Sequence, residues 1–240
     1  MITIRNLKKK FGRMEVLKGI DLQLGAGSCI SLIGPNASGK TTLLKTILGI
    51  VKPDSGELLV GNENALEGYR YREQIGYMPQ IARYPDNMTV GQVIDLLKSL
   101  RAPVAGYDEE LLATYKLNEI YDKPLRALSG GTRQKVSACV AFLFKTPILI
   151  LDEPTAGLDP LSAELLKEKI RKEAASDKLI IVTSHILSDL EDISTHVVYL
   201  HEGKIVFFET INEILNRTGE KSLSQAVAHI MKENLNDRNH

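Results

Sequence analysis

No stretch constrains this chain more than residues 29–48. An apolar run, Cys29–Ile33, leads into Gly34-Pro35-Asn36-Ala37-Ser38-Gly39-Lys40-Thr41, and Thr41–Leu48 then carries Leu43, Leu44, Ile47 and Leu48 on one helical face. The spacing G-x-x-x-x-G-K-[ST] between a strand and a helix is that of a turn whose backbone N–H groups curl around a phosphate chain. Glycine admits this curl because no Cβ stands in the way. A helix opening near Gly39 turns its free N–H groups and positive dipole end toward the same phosphates. Lys40 adds a mobile cation for the terminal phosphates, and Thr41 a hydroxyl for Mg²⁺.

Three more β-rich runs occur, at Ile148–Leu151, Leu179–Thr183 and Val197–Leu200. Helical patterns come after the first two, with Leu161, Leu165, Leu166 and Ile170 expected on one buried face. Strands alternating with helices predict a mainly parallel sheet covered on both sides. Val197–Leu200 and Lys204–Phe208, joined at Glu202-Gly203, read instead as a closing hairpin. From 81 to 146 the texture is helical. Thr89-Val90-Gly91-Gln92 has the capping-box form and opens Val93–Leu100; Pro103, Gly106 and Pro124 punctuate the middle of the segment; Arg133–Phe144 is helical again. The expected organisation is a core of 1–80 and 147–215, a helical lobe at 81–146 inserted into it, and a short extension, 216–240, with one amphipathic piece (Leu223, Val227, Ile230, Met231).

Pro147–Pro154 ends an apolar strand in two acids, Asp152 and Glu153. Neighbouring strand residues face opposite sides, so the two are expected to divide the work: Asp152 on the metal, Glu153 on an attacking water. His185 ends another apolar strand. The phosphate loop, the acid pair and His185 then all come after carboxyl ends of parallel strands, where open α/β sheets bind ligands. The other histidines (His196, His201, His229, His240) show no metal-ligand spacing. Taken alone, Asp159 before Pro160 reads as a helix cap, Phe11 as core and Gln80 as a polar junction residue.

Lys plus Arg equals Asp plus Glu at 30 each, which disfavours a nucleic-acid partner. Cys29 and Cys139 are far apart among apolar neighbours, the pattern of two buried thiols in a reducing compartment. No secretory leader is evident, and no apolar run approaches the ~18 residues of a membrane span. A lipid-facing part, if the chain serves a membrane, is expected from another polypeptide.

Leu128-Ser129-Gly130-Gly131-Thr132-Arg133-Gln134-Lys135 closely resembles the LSGGQ signature of the ABC (ATP-binding cassette) ATPases, and the resemblance spans roughly residues 1 to 210. It implies a P-loop NTPase core with an N-terminal antiparallel β region. It also implies that Phe11 stacks on adenine, that Gln80 is the Q-loop glutamine near the metal, that Ala156–Asp159 is the D-loop, and that His185 is the switch histidine. Mg-ATP would then lie against Phe11, Gly34, Pro35, Asn36, Ala37, Ser38, Gly39, Lys40, Thr41 and Thr42 of one chain and Ser129, Gly130, Gly131 and Asp159 of its partner. Thr41, Gln80 and Asp152 would serve the metal, and Lys40, Gln80, Glu153 and His185 the hydrolysis. The free N–H groups opening a helix at Ser129–Gly131 make a second anion site. Thr132 stands where the signature has glutamine, and Ala37-Ser38 where Gly-Ala is common; neither change removes a phosphate-facing N–H.

The implied protein is the ATPase subunit of a transporter, paired with itself or a related ATPase, and held through a permease on the cytoplasmic face of the membrane. The motif wording (GPNASGKTT, GYMPQ, LSGGTRQK) is most like exporter-type cassettes, and among them the copper-handling system that matures nitrous-oxide reductase. The rival is a soluble ABC ATPase of the iron–sulfur assembly type. DNA-maintenance ATPases of this kind carry long coiled coils between the two motifs, for which Thr42–Leu128 has no sustained heptads.

Overall fold

A computed structural model describes residues 1–101 and 106–236; Pro103 and His240 lie outside the described residues. Two sheets form. One is antiparallel, in the order β2 (Met14–Leu24), β1 (Ile2–Phe11), β4 (Ser55–Val60), β5 (Glu63–Asn64). The other runs β10 (Lys204–Thr210), β9 (His196–His201), β3 (Ser28–Ile33), β8 (Leu179–Thr183), β7 (Ile148–Asp152), β6 (Ile75–Met78). Every pairing from β9 to β6 is parallel, and only β10 returns antiparallel, as the closing hairpin.

Period-2 alternation divides the parallel strands between two apolar cores. Ile30, Leu32, Ile148, Ile150, Leu179 and Ile181 face the antiparallel sheet and helix α1 (Lys40–Ile47). Cys29, Ile33, Leu149, Leu151, Ile180 and Val182 face the other way, toward α2 (Val90–Leu100), α3 (Glu110–Thr114), α4 (Gly130–Phe142) and α5 (Pro160–Ala174). With both faces covered, the strands read as continuous apolar runs. Both cysteines are buried and free, and burial pushes the Cys29 thiol up to about 12.

Thr89 caps α2 as expected: its side chain accepts from the Gln92 N–H, while the Gln92 side chain accepts from the Thr89 N–H. We expect Thr89→Ala to cost about 1 kcal/mol in urea unfolding, the usual worth of an N-cap.

The expected buried face of α5 is corrected at one position. Leu161 is 70% exposed, whereas Leu166 and Ile170 are buried. Nine residues at about 3.6 per turn make two and a half turns, which puts Leu161 opposite Ile170. Lys167 and Lys169 of the same helix are buried. The Lys169 ammonium meets Asp108 at 2.6 Å, Glu173 at 2.7 Å and Glu110 at 2.9 Å, tying the lobe to the core. Burial alone would push that ammonium down; hydrogen bonds to the three carboxylates outweigh it and hold it above its ordinary value.

After α6 (Leu187–Glu191) and the closing hairpin come α7 (Ile211–Thr218) and α8 (Leu223–Asn236). Ile214, Leu223, Ala226, Val227 and Ile230 join the same apolar cluster as Leu149 and Val182.

Candidate functional site

Four adjacent parallel strands, in the order β3-β8-β7-β6, deliver the site from their carboxyl ends: residues 34–39 after β3, His185 after β8, Asp152 and Glu153 at β7, and Gln80 after β6. The loop after β3 is shaped by residues that cannot be changed freely. Gly34 has φ 152°, and a Cβ there would stand 2.0 Å from the Leu200 carbonyl oxygen. Ala37 at φ 62° and Gly39 at φ 111° complete the curl. The turn between β9 and β10 supports it from below, the Gly203 N–H donating to Ser38 O at 2.9 Å. Lys40 Nζ bends back over the loop to the carbonyls of Gly34 and Pro35, at 2.7 and 2.9 Å. Burial lowers the Lys40 ammonium's pKa, and the nearby charges of Glu153 and Asp152 oppose that shift.

The acid pair differs from expectation in its cause. Only Asp152 lies within the strand; Glu153 has left it in the left-handed region at φ 51°. A sharp turn, not strand alternation, gives the two carboxylates their different directions. The turn is held by Thr183: the Glu153 N–H donates to Thr183 O at 3.1 Å and to Thr183 Oγ1 at 3.0 Å. That hydroxyl in turn donates to Asp152 Oδ1 at 2.5 Å. Glu153 Oε1 meets His185 Nε2 at 2.7 Å, so two of the four residues assigned to hydrolysis are in direct contact.

Together these groups line one cleft of about 580 Å³ with Phe11, residues 36–42 and Gln80. Phe11 is half exposed at its mouth, with Lys9 Nζ 5.3 Å from its ring centroid. Met14 and Val16 also line the cleft, and sequence reasoning missed them. The signal was Gly12: read as a hairpin turn, it pairs Phe11 with Met14 across β1 and β2. Thr183 and Ser184 line the cleft too, beside His185, without having been singled out by the sequence pattern.

Ser129, Gly130, Gly131 and Asp159 do not line this cleft. Ser129 caps α4, accepting from the Thr132 N–H at 3.2 Å, and this helix start lies outside the cleft. Asp159 is engaged within its own chain, accepting from the Ser162 hydroxyl at 2.7 Å and N–H at 2.9 Å and pairing with Lys135 at 3.0 Å. These bonds, those from Ser162 foremost, hold its carboxyl well below the usual range.

The cleft residues fit a nucleoside triphosphate with its magnesium ion. Among the described residues Ser38 Oγ is buried without a hydrogen-bond partner, a polar group in need of an acceptor. The loop leaves open the space that side chains at 34 and 39 would fill. Thr41 and Asp152 offer the hard oxygen donors that magnesium takes.

A phosphate loop, an acid pair and a histidine on neighbouring strands, with a second glycine-rich helix start held apart from them, define a P-loop nucleotide-binding protein of the ATP-binding-cassette class. The sequence profile of the ABC transporter family matches residues 17–156. The Nod factor export ATP-binding protein I of Ralstonia nicotianae is 31% identical over 209 residues, covering 85% of this chain and 65% of that relative. The lantibiotic transport ATP-binding protein SrtF of Streptococcus pyogenes is 30% identical over 227 residues, covering 90% of this chain and 96% of the relative. Among solved structures, the ATP-binding subunit of an ABC transporter superposes with TM-score 0.87 at 26% identity, covering 96% of this chain and 99% of that one. A bacterial ABC transporter cassette solved as a dimer gives 0.77 at 25% identity, covering 88% and 99%. The chain belongs to the ABC transporter family, of which it carries the ATP-binding cassette.

Proposed function

We propose that this chain is the ATP-hydrolysing motor of an ABC exporter, two copies closing head to tail over two Mg-ATP molecules to drive a separate permease. The observation that carries the reading is the separation of the two anion sites: the cleft holds the phosphate loop, Glu153 and His185, while Ser129–Gly131 lies outside it. Each copy then supplies the signature for its partner's nucleotide.

Phosphoryl transfer calls for positioning and charge neutralisation more than covalent chemistry. Lys40 neutralises the β and γ phosphates, and the N–H groups of residues 36–41 hold them in line. Thr41 and Asp152, with Gln80 nearby, would hold a magnesium ion, which would supply further charge neutralisation when bound. Glu153 orients and polarises the attacking water, and its 2.7 Å contact with His185 keeps both groups at the γ end. The partner's Ser129–Gly131 N–H groups complete the enclosure. Motion passes to the permease through the depression of about 380 Å³ formed by Ile81, Arg83, Tyr84, Asp86 and Arg133, beside Gln80; Ile81 is 68% exposed there.

Among the described residues no helix is long and apolar enough to cross a membrane, in keeping with a subunit held at the inner membrane face by its permease. The named relatives are transport subunits, which favours this reading over a soluble iron–sulfur assembly ATPase. The finer reading, an ATPase of the copper-handling system that matures nitrous-oxide reductase, rests on motif wording alone. The relatives' names give it no support.

The test is the order of the reaction in protein. Specific ATPase activity should rise with subunit concentration and saturate once the dimer forms. Full activity in dilute, demonstrably monomeric protein would overturn the reading.

A further inference from the structure

One buried side chain joins the two half-sites of a single chain. Gln134 sits on α4, one turn into the helix that Ser129 caps, and is 7% exposed. Its side-chain amide reaches the turn after β7. There Nε2 donates to the Glu153 carbonyl at 3.3 Å and to the Pro154 carbonyl at 3.4 Å.

Glu153 is the residue most in need of such support. At φ 51° it occupies a region that is strained for a non-glycine residue and persists only when its surroundings hold it. Thr183 grips the peptide on its amino side. The Glu153 carbonyl accepts from the Ala156 N–H at 3.1 Å, a bond within the same turn, and from Gln134, a bond from outside it. The approach of helix and turn is close at a second point: a Cβ on Gly131 would stand 2.8 Å from the Gly157 carbonyl oxygen.

We propose that Gln134 is a positioning residue that fixes Glu153 of its own chain from the signature helix, so that the element serving the partner's nucleotide also sets the carboxylate serving its own. The assignment rests on the proposed head-to-tail dimer and deepens it. Each signature helix then touches both composite sites, one through its N–H groups and the other through Gln134.

Mixed dimers separate this role from a general structural one. Gln134→Met keeps the length of the side chain and removes its donors. The control is a dimer of differently tagged chains, one wild type and one Glu153→Gln, which has one working carboxylate. Placed on the chain that keeps Glu153, Gln134→Met should lower kcat by about tenfold, the worth of one or two hydrogen bonds at a geometry-sensitive step, with KM for ATP unchanged. Placed on the Glu153→Gln chain, where only its signature is used, it should leave the rate within about twofold of the control. An equal loss in both arrangements, or a loss only in the second, overturns the proposal. A control dimer whose rate survives replacement of its remaining Glu153 would instead overturn the proposed function. Gln134→Leu, which lacks the same donors, repeats the comparison should the methionine chain not fold.

Discussion

Glu153→Gln should lower ATP turnover by at least about a hundredfold while leaving a dimer that stays closed over Mg-ATP. The magnitude comes from the loss of a positioned base, typically about 10²–10⁴ in rate. The amide has the shape of the carboxylate, so the φ 51° turn, its bonds to Thr183 and the packing around it are kept. What goes is the negative oxygen that faces water and the 2.7 Å contact with His185 in its present form. Removing a negative charge near Lys40 and the triphosphate also lowers repulsion in the closed state, which favours its persistence. Light scattering with and without Mg-ATP reads the dimer, and phosphate release reads turnover. Turnover close to wild type would take Glu153 out of the reaction.

Ser129→Arg is the second large effect, and it acts across the interface. Ser129 caps α4, and the N–H groups it leaves free are the anion site that the partner's γ-phosphate would meet. Arginine removes the cap, at about 1 kcal/mol to the helix, and puts a long side chain into the space the partner must enter. Hydrolysis should fall by about a hundredfold or more, because the enclosure of the terminal phosphoryl group no longer forms. ATP binding by a single subunit should stay within a few-fold of wild type, since Ser129 does not line the cleft. Titration with a fluorescent nucleotide at low protein concentration measures this directly. Lost binding would mean that Ser129 serves its own subunit's nucleotide.

The two substitutions differ in a way that reflects how the site is encoded. The phosphate loop was legible because its chemistry is local: glycines at fixed offsets, a lysine, and a strand and helix on either side, all within one short stretch. The helix caps at Thr89 and Asp159 were legible for the same reason, as was the closing hairpin at Glu202-Gly203. Met14 and Val16 escaped because an apolar residue on an antiparallel strand carries no mark of which surface it faces. Leu161 departs from the expected face because the apolar run extends over two and a half turns of helix, which carries it opposite Ile170.

By itself, then, the sequence determined the class of chemistry and the elements that carry it, since backbone periodicity, caps and glycine turns depend on near neighbours alone. The tertiary structure decided which of those elements meet. The strand order β3-β8-β7-β6 sets Lys40, His185, Asp152 and Gln80 around one cleft and leaves Ser129 outside it. It also bends the chain at Glu153 and brings Gln134 to that bend. These are contacts between residues far apart along the chain, fixed only when both faces of the sheet are packed at once, and no local pattern records them.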